Sequence, residues 1–238
     1  MTSATYLSAI MSKVHELFDY RMIPEMVKSC GLDYAQTLEG LNILQYHIFI
    51  LDQYLEQNWV IDPSVLEEKW LLIERHISDF KPISSTTRLM QQLRIYEGHE
   101  IDLRSGMHPE RIDIRYFYYY KSCDVKLMRK LILERATQKG FSSTFALIDW
   151  VVYDWVTEVN DDVTDLEEDR LTNNCNRLLY ALRARSQEEV VAEYLDFLKY
   201  LEHKAGTLRK QSGSVIKRDI WQHTLHELDN TRKLLRSL

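Results

Sequence analysis

The chain has 238 residues, of which 45% are hydrophobic and 28% charged, and its formal net charge is −6. This length allows one sizeable hydrophobic core, and the acidic balance argues against nucleic acid as the main partner. Only 7 Gly and 4 Pro interrupt the chain, a scarcity that favours long helices over a sheet with frequent turns. The composition therefore predicts an all-α protein in which residues 1–238 form one domain.

The cysteines and the N-terminus bear on cellular location. Cys30, Cys123 and Cys175 form no C-x-x-C pair, which is typical of a protein kept reduced in the cytoplasm. The N-terminus lacks the charged-then-apolar pattern of a signal peptide, and no apolar run approaches the ~20 residues of a membrane span. We therefore expect a cytoplasmic protein without a membrane span.

Apolar residues recur at spacings of three and four along almost the whole chain, which is the pattern of amphipathic helices. Asp62 and Pro63 mark one helix start, and Ser186 with Glu189 has the pattern of a capping box. The predicted helices cover residues 4–28, 34–58, 63–79, 84 or 85 to 103, 109–138 (opened by Pro109), a sixth helix that begins at Ser142 or Ser143, 174–185, 187–210 and 215–237. Eight or nine antiparallel helices of this kind predict a bundle.

Three oxygen-bearing side chains are evenly spaced in the sixth predicted helix. Asn160, Thr164 and Glu168 follow one another at intervals of four residues, so they form one stripe about 12 Å long. An amide oxygen, a hydroxyl and a carboxylate are hard ligands, which Mg²⁺ accepts when a diphosphate supplies the others. Traced toward the N-terminus, this stripe continues to Tyr153. The spacing therefore predicts a metal-binding stripe.

A second acidic register overlaps the first. Asp161, Asp162 and Asp165 form a D-D-x-x-D pattern, rotated by about 100° from the stripe of oxygen ligands. Traced toward the N-terminus, Asp161 continues through Glu158 and Asp154, side chains that we expect to face solvent. The first stripe is therefore the preferred metal site, and the D-D-x-x-D register is the alternative.

These patterns resemble the motifs of one enzyme superfamily. The pattern N-D-x-x-[S/T]-x-x-x-E, which begins at Asn160, resembles the second metal-binding motif of class I terpene synthases, whereas D-D-x-x-D resembles that of prenyl diphosphate synthases. An apolar run leads into Asp52, with Glu56 one turn later. It is similar to the family's first motif, D-D-x-x-[D/E], although Gln53 replaces the second aspartate. Arg115 lies 45 residues before Asn160, the offset of the family's diphosphate-sensing arginine.

The resemblance to class I terpene synthases implies a single-domain antiparallel bundle with a central apolar cavity. It also implies an enzyme that ionises an allylic substrate, namely geranyl, farnesyl or geranylgeranyl diphosphate, and a homodimer would be in keeping with the family. The implied Mg²⁺ ligands are Asp52, Glu56, Asn160, Thr164 and Glu168. The implied diphosphate-binding residue is Arg115, with Lys121 as the alternate, and Tyr153 shares the metal stripe. Lys121 and Ser122 resemble the Lys-Thr pair of prenyl diphosphate synthases.

The chain departs from the family at several points, which leaves other functions open. No Arg-Tyr pair occurs near the C-terminus, and the glycine-lysine-arginine signature of chain-elongating relatives is absent. Transfer of a prenyl group to an acceptor is the alternative on the same fold. A non-catalytic α-helical binding protein is the alternative without catalysis. A di-iron bundle is disfavoured because no His follows a Glu by three residues.

Overall fold

A computed structural model describes residues 3–141, 145–210 and 215–238, with side chains for 7–141, 145–207 and 217–238. Within these ranges the chain forms twelve α-helices and no β-strand, which confirms the all-α prediction. None of the described helices is long and apolar enough to cross a membrane. The helices are α1 (Ser3–Tyr20), α2 (Ile23–Ser29), α3 (Tyr34–Gln57), α4 (Pro63–Asp79), α5 (Thr86–Asp102), α6 (Ile114–Lys121), α7 (Cys123–Gln138), α8 (Val151–Thr164), α9 (Leu166–Asp169), α10 (Arg177–Ala184), α11 (Gln187–Lys210) and α12 (Val215–Ser237).

The chain divides into two compact units. The first unit comprises Met1–Gln92 and Asp124–Ser143, and the second unit comprises Leu93–Cys123 and Thr144–Leu238. Each unit therefore combines two stretches that are far apart in sequence, an arrangement that local sequence patterns do not reveal.

Two predicted helix starts carry their predicted caps. The Asp62 carboxylate accepts a hydrogen bond from a backbone N–H of α4 at 2.8 Å. At the start of α11, Ser186 and Glu189 each accept from the other's backbone N–H, both at 3.3 Å, which confirms the capping box. The cap predicted at Ser142 or Ser143 lies outside the described residues.

The first predicted helix, over residues 4–28, is wrong in one respect because a break separates α1 from α2. Met22 at this break has a φ of 55°, in the left-handed region that non-glycine residues rarely adopt. The buried Arg129 of α7 donates from Nη2 to the Arg21 carbonyl at 2.9 Å. A side chain from a distant helix thus satisfies a backbone carbonyl at the break.

The predicted helix over residues 109–138 is also divided. Pro109–Arg111 forms only a 3-10 turn, and α6 begins after Asp113, whose carboxylate accepts from two backbone N–H groups at 3.0 and 3.2 Å. At the other end, the Ser122 hydroxyl donates to the Tyr118 carbonyl at 3.0 Å, and α7 begins one residue later. The serine hydroxyl competes with backbone N–H groups for a carbonyl at the helix end. The spacing of apolar residues gives no sign of this competition.

In the first unit, α3 packs against α1, α2 and α4. Its inward stripe is at most 3% exposed and consists of Leu41, Leu44, Ile48, Leu51 and Leu55. Each such aliphatic side chain contributes roughly 1.5–3 kcal/mol when fully buried, so this stripe explains why α3 is the centre of the unit.

In the second unit, α8 packs against α6, α10, α11 and α12. From Val152 to Val163, every side chain of this helix is buried except those of Asn160 and Asp161, which are half-buried. A helix buried on nearly all sides must be enclosed by neighbouring helices. Because α8 also carries the acidic segment, these neighbours determine the surroundings of each carboxylate.

Candidate functional site

One face of α8 carries carboxylates into the interior of the second unit. Asp154, Glu158 and Asp162 are spaced four residues apart and are 1%, 5% and 0% exposed. The expectation that Glu158 and Asp154 face solvent is therefore wrong. Buried charges are costly unless they are paired, and for Asp162 side chains of other segments supply that compensation.

Asp162 is the centre of this buried network. The Lys121 ammonium of α6 donates to its Oδ1, and the Tyr118 hydroxyl donates to its Oδ2 at 2.6 Å. Burial disfavours the charged ammonium, but the nearby carboxylates of Asp162 and Glu158 outweigh it, so the pKa of Lys121 is raised. Lys121, 15% exposed, and the fully buried Asp162 therefore form an ion pair that joins α6 to α8.

Asn176 connects Asp162 to a further carboxylate. Its side-chain nitrogen donates to the Asp162 carbonyl and to Asp169 Oδ2, both at 2.7 Å, while its oxygen caps α10. Burial raises the pKa of Asp169 to about 6, against the opposing effects of Asn176 and Lys121. Burial also raises the pKa of Asp165, which Lys121 opposes. Carboxylates thus outnumber the single ammonium in this part of the unit.

The network extends from Tyr118 toward the surface. The Tyr118 hydroxyl lies 3.1 Å from that of Tyr194, and Arg177 Nη1 donates to Tyr194 at 3.4 Å. Arg177 also donates to Glu193 at 2.7 Å, and Glu193 accepts from Arg185 as well. Burial raises the pKa of both tyrosines, so both are neutral at physiological pH. A continuous path of hydrogen bonds therefore links buried Asp162 to exposed charges.

The predicted metal stripe lies on the opposite side of α8 from this network. Asn160 is half-buried, and its amide nitrogen donates to Thr231 of α12 at 3.0 Å. Thr164 is exposed, and its hydroxyl donates to the Asn160 carbonyl at 3.1 Å. Glu168 is also exposed but lies on α9, because α8 ends at Thr164 and Asp165 separates the two helices. The stripe therefore crosses a helix break.

Three other predicted residues also lie in the second unit. Arg115, exposed on α6, has its guanidinium carbon 4.1 Å from the ring centroid of Tyr200. Lys121, six residues later, is instead paired with Asp162 inside the unit. Tyr153 is buried on α8, with its ring edge-to-face to that of Trp150 at a centroid distance of 6.4 Å. The two candidate cations thus have different surroundings although they share one short helix.

Asp52 and Glu56 belong to the first unit, where both are half-buried on α3. The six other predicted residues belong to the second unit. The assignment of Asp52 and Glu56 as metal ligands stays a prediction.

Sequence reasoning missed the buried partners Asn176, Arg177 and Tyr194, and it gave Asp162 no structural role. One signal was present, since Asp154, Glu158 and Asp162 recur every four residues among apolar neighbours. That pattern indicates an acidic face on a buried helix. No comparable signal marks Asn176 or Tyr194, because their roles depend on contacts between separate helices.

The donor chemistry of the outer stripe suits Mg²⁺, which takes oxygen ligands. The Asn160 nitrogen is used by Thr231, so the oxygen is the end of this amide left for a cation. Thr164 donates its proton to the backbone and retains lone pairs on its oxygen. Among the described residues, no group of three or more His, Cys, Asp or Glu side chains is placed to hold a metal ion. A metal site here would thus depend on the Asn and Thr oxygens.

No protein-family model matches the chain, and comparisons with curated proteins and with solved structures return no match either. A helical fold alone is compatible with many activities. The side chains of the second unit, which contains six of the eight predicted site residues, are therefore the main guide to function.

Proposed function

We propose that the protein is a Mg²⁺-dependent class I terpene synthase that ionises an allylic prenyl diphosphate. One observation supports this function above the others. The helix that carries Arg115 and Lys121 packs against the helix that carries Asn160, as α6 and α8 of one unit. The Lys121–Asp162 ion pair fastens the two helices to each other. The proposal includes the apolar cavity and the bundle type that the sequence resemblance implies.

The pairing of Asp162 favours one register of the acidic segment. Both carboxylate oxygens of Asp162 accept hydrogen bonds, one from Lys121 and one from Tyr118. A metal ion bound by Asp162 would have to displace these donors. Thr164 and Glu168 are exposed and Asn160 is half-buried, so their oxygens are the better candidates for holding Mg²⁺ beside a diphosphate.

The two candidate cations take different roles in this proposal. Lys121 neutralises Asp162 and holds α6 against α8, which makes it a positioning residue. Arg115 is exposed, and its planar guanidinium can bind two phosphate oxygens at once. Arg115 is therefore the residue that contacts the diphosphate.

The reaction breaks the bond between the allylic carbon and the diphosphate oxygen, and the electron pair leaves with the diphosphate. Bound Mg²⁺ would supply positive charge for that leaving group. Arg115 adds a fixed positive charge to the same oxygens. The carbocation then loses a proton or is captured by water.

The test is incubation with geranyl, farnesyl and geranylgeranyl diphosphates, with and without Mg²⁺, followed by gas chromatography and mass spectrometry. Glu168→Gln is compared with Glu167→Gln, because Glu167 is the adjacent carboxylate, 85% exposed and outside the motif. We expect Glu168→Gln to lower the turnover by about 10²-fold and the control to change it little. Recovery of all three substrates intact in the presence of Mg²⁺ would remove the cyclase proposal.

A second candidate is a non-catalytic α-helical binding protein. The observation that favours it is that the hydrogen bonds of Asp162, Lys121 and Tyr118 are satisfied within the unit. Such a network also serves to stabilise a fold that performs no chemistry. Prenyl transfer to an acceptor is distinguished from both by repeating the incubation with candidate acceptors and searching for prenylated products.

A further inference from the structure

Two cations of the second unit lie near one tyrosine ring. The Arg115 guanidinium carbon lies 4.1 Å from the Tyr200 ring centroid, and Lys204 Nζ lies 5.9 Å from the same centroid. Lys204 Nζ also lies 4.6 Å from the ring of Trp155. Arg115 comes from α6, Trp155 from α8, and the other two residues from α11. Three helices therefore contribute to one arrangement of cations on aromatic rings.

The surroundings of these two cations differ from those of other basic side chains in the unit. Within the described part of the chain, no carboxylate lies within ion-pair distance of Arg115 or Lys204, and none of the remaining residues is Asp or Glu. The nearby Asp113 uses its carboxylate to cap α6. Other basic side chains of this unit do have carboxylate partners, as in the pairs Lys121–Asp162, Arg177–Glu193 and Arg232–Glu202.

The geometry leaves the hydrogen-bond donors of both cations usable. A ring face attracts a cation through its quadrupole and accepts no conventional hydrogen bond, so the N–H groups directed away from the ring keep their capacity. The two distances to the Tyr200 centroid place the charges at most about 10 Å apart. That separation is within the Debye length of about 10 Å at 0.1 M salt, so the two charges repel each other. A bound polyanion would relieve this repulsion.

We propose that Arg115 and Lys204, positioned by Tyr200 and Trp155, form a binding site for a diphosphate group. The choice of diphosphate as the ligand rests on the proposed function, whereas the positive site itself rests on the geometry. Lys204 belongs to none of the motifs found in the sequence. It supplies a second cation from α11, in addition to Arg115 of α6.

The experiment is isothermal titration of the full-length protein with inorganic diphosphate, without divalent metal and at low ionic strength. Lys204→Met and Arg115→Met keep an unbranched apolar stem and remove the charge. Lys199→Met is the control, because Lys199 is on α11, is 71% exposed and pairs with Asp196. We expect each site variant to weaken binding at least about tenfold, and the control to change it less than about twofold.

Each outcome decides the proposal. Selective weakening in Lys204→Met and Arg115→Met supports it, with circular dichroism showing that the variants remain helical. Equal weakening in all three variants would show a diffuse charge effect and overturn it, as would no binding by the unaltered protein. If diphosphate binds through this pair but no prenyl substrate is turned over, the site stands and the proposed function fails. If turnover occurs but Lys204→Met alters neither diphosphate binding nor KM, the proposed function stands and the proposed site fails.

Discussion

The inner and outer faces of α8 carry similar side chains in opposite environments. On the inner face, Asp162 is fully buried and accepts from Lys121 and Tyr118. On the outer stripe, Thr164 at the end of α8 and Glu168 on α9 are exposed. The inner carboxylate is committed to holding α6 on α8, whereas the outer oxygens remain accessible to a ligand. The α8–α9 segment can thus combine a structural ion pair with a candidate reactive surface.

The largest effect that separates the two faces is expected from Asp162→Ala. This change removes the hydrogen-bond acceptor of the Lys121 ammonium and leaves the Tyr118 hydroxyl with only its contact to Tyr194. We expect a loss of about 3–5 kcal/mol in the free energy of unfolding, measured by urea denaturation. Glu167→Ala, an exposed matched control, should stay within about 0.5 kcal/mol of the unaltered protein. A loss below about 1 kcal/mol for Asp162→Ala would contradict the central role of this pair.

A second test asks whether the inner pair acts as a unit. Lys121→Met alone strands the Asp162 carboxylate and should cost roughly 3 kcal/mol. In the double variant Lys121→Met/Asp162→Asn, the stranded charge is gone, so we expect a smaller loss than for Lys121→Met. A thermodynamic cycle that adds Asp162→Asn gives the coupling energy, expected to be on the order of 1–3 kcal/mol. Strictly additive losses would indicate that the two side chains are not coupled.

The inner network should also respond to pH through Asp169. Burial raises its folded-state pKa to about 6, above the value near 4 of an unfolded chain. The folded protein therefore holds this proton more tightly, so the resulting stabilisation is complete below about pH 4 and is lost as the pH rises through about 6. The loss is expected to be on the order of 2 kcal/mol.

The measurement is urea unfolding of the protein and of Asp169→Asn across this pH range, in buffer with a metal chelator. The variant retains a neutral side chain in the place of the protonated acid, so its stability should fall less between about pH 4 and pH 6. Asp165→Asn is a useful companion, since burial raises the pKa of Asp165 as well. Parallel pH profiles for Asp169→Asn and the unaltered protein would contradict the prediction.

The smallest effect on stability is expected on the outer stripe. Glu168→Gln changes an exposed side chain, so we expect the free energy of unfolding to change by less than about 0.5 kcal/mol. Under the proposed function, the same variant is expected to lose turnover. Substitution on the inner face therefore lowers stability, whereas substitution on the outer stripe lowers activity and leaves stability nearly unchanged. A large loss of stability in Glu168→Gln would remove this distinction.

The helices were predictable where local chemistry sets them. α4 begins after Asp62 and α11 begins with the Ser186–Glu189 capping box, both read from neighbouring residues. The break between α1 and α2 was not predictable, because its carbonyl is satisfied by Arg129, which lies 108 residues from Arg21. Apolar residues are buried both before and after this break, so the spacing of apolar residues continues across it and does not reveal it.

For the candidate site, the sequence by itself determined which residues share a helix face. A four-residue spacing places Asp154, Glu158 and Asp162 together and sets Asn160 with Thr164 on another face, because about 3.6 residues form each turn. Only the tertiary structure decided which face is buried. Burial of a carboxylate depends on partners, and Lys121 lies 41 residues from Asp162 along the chain. Spacing along one helix is a local property, whereas the compensation of a buried charge arises only when separate helices pack together.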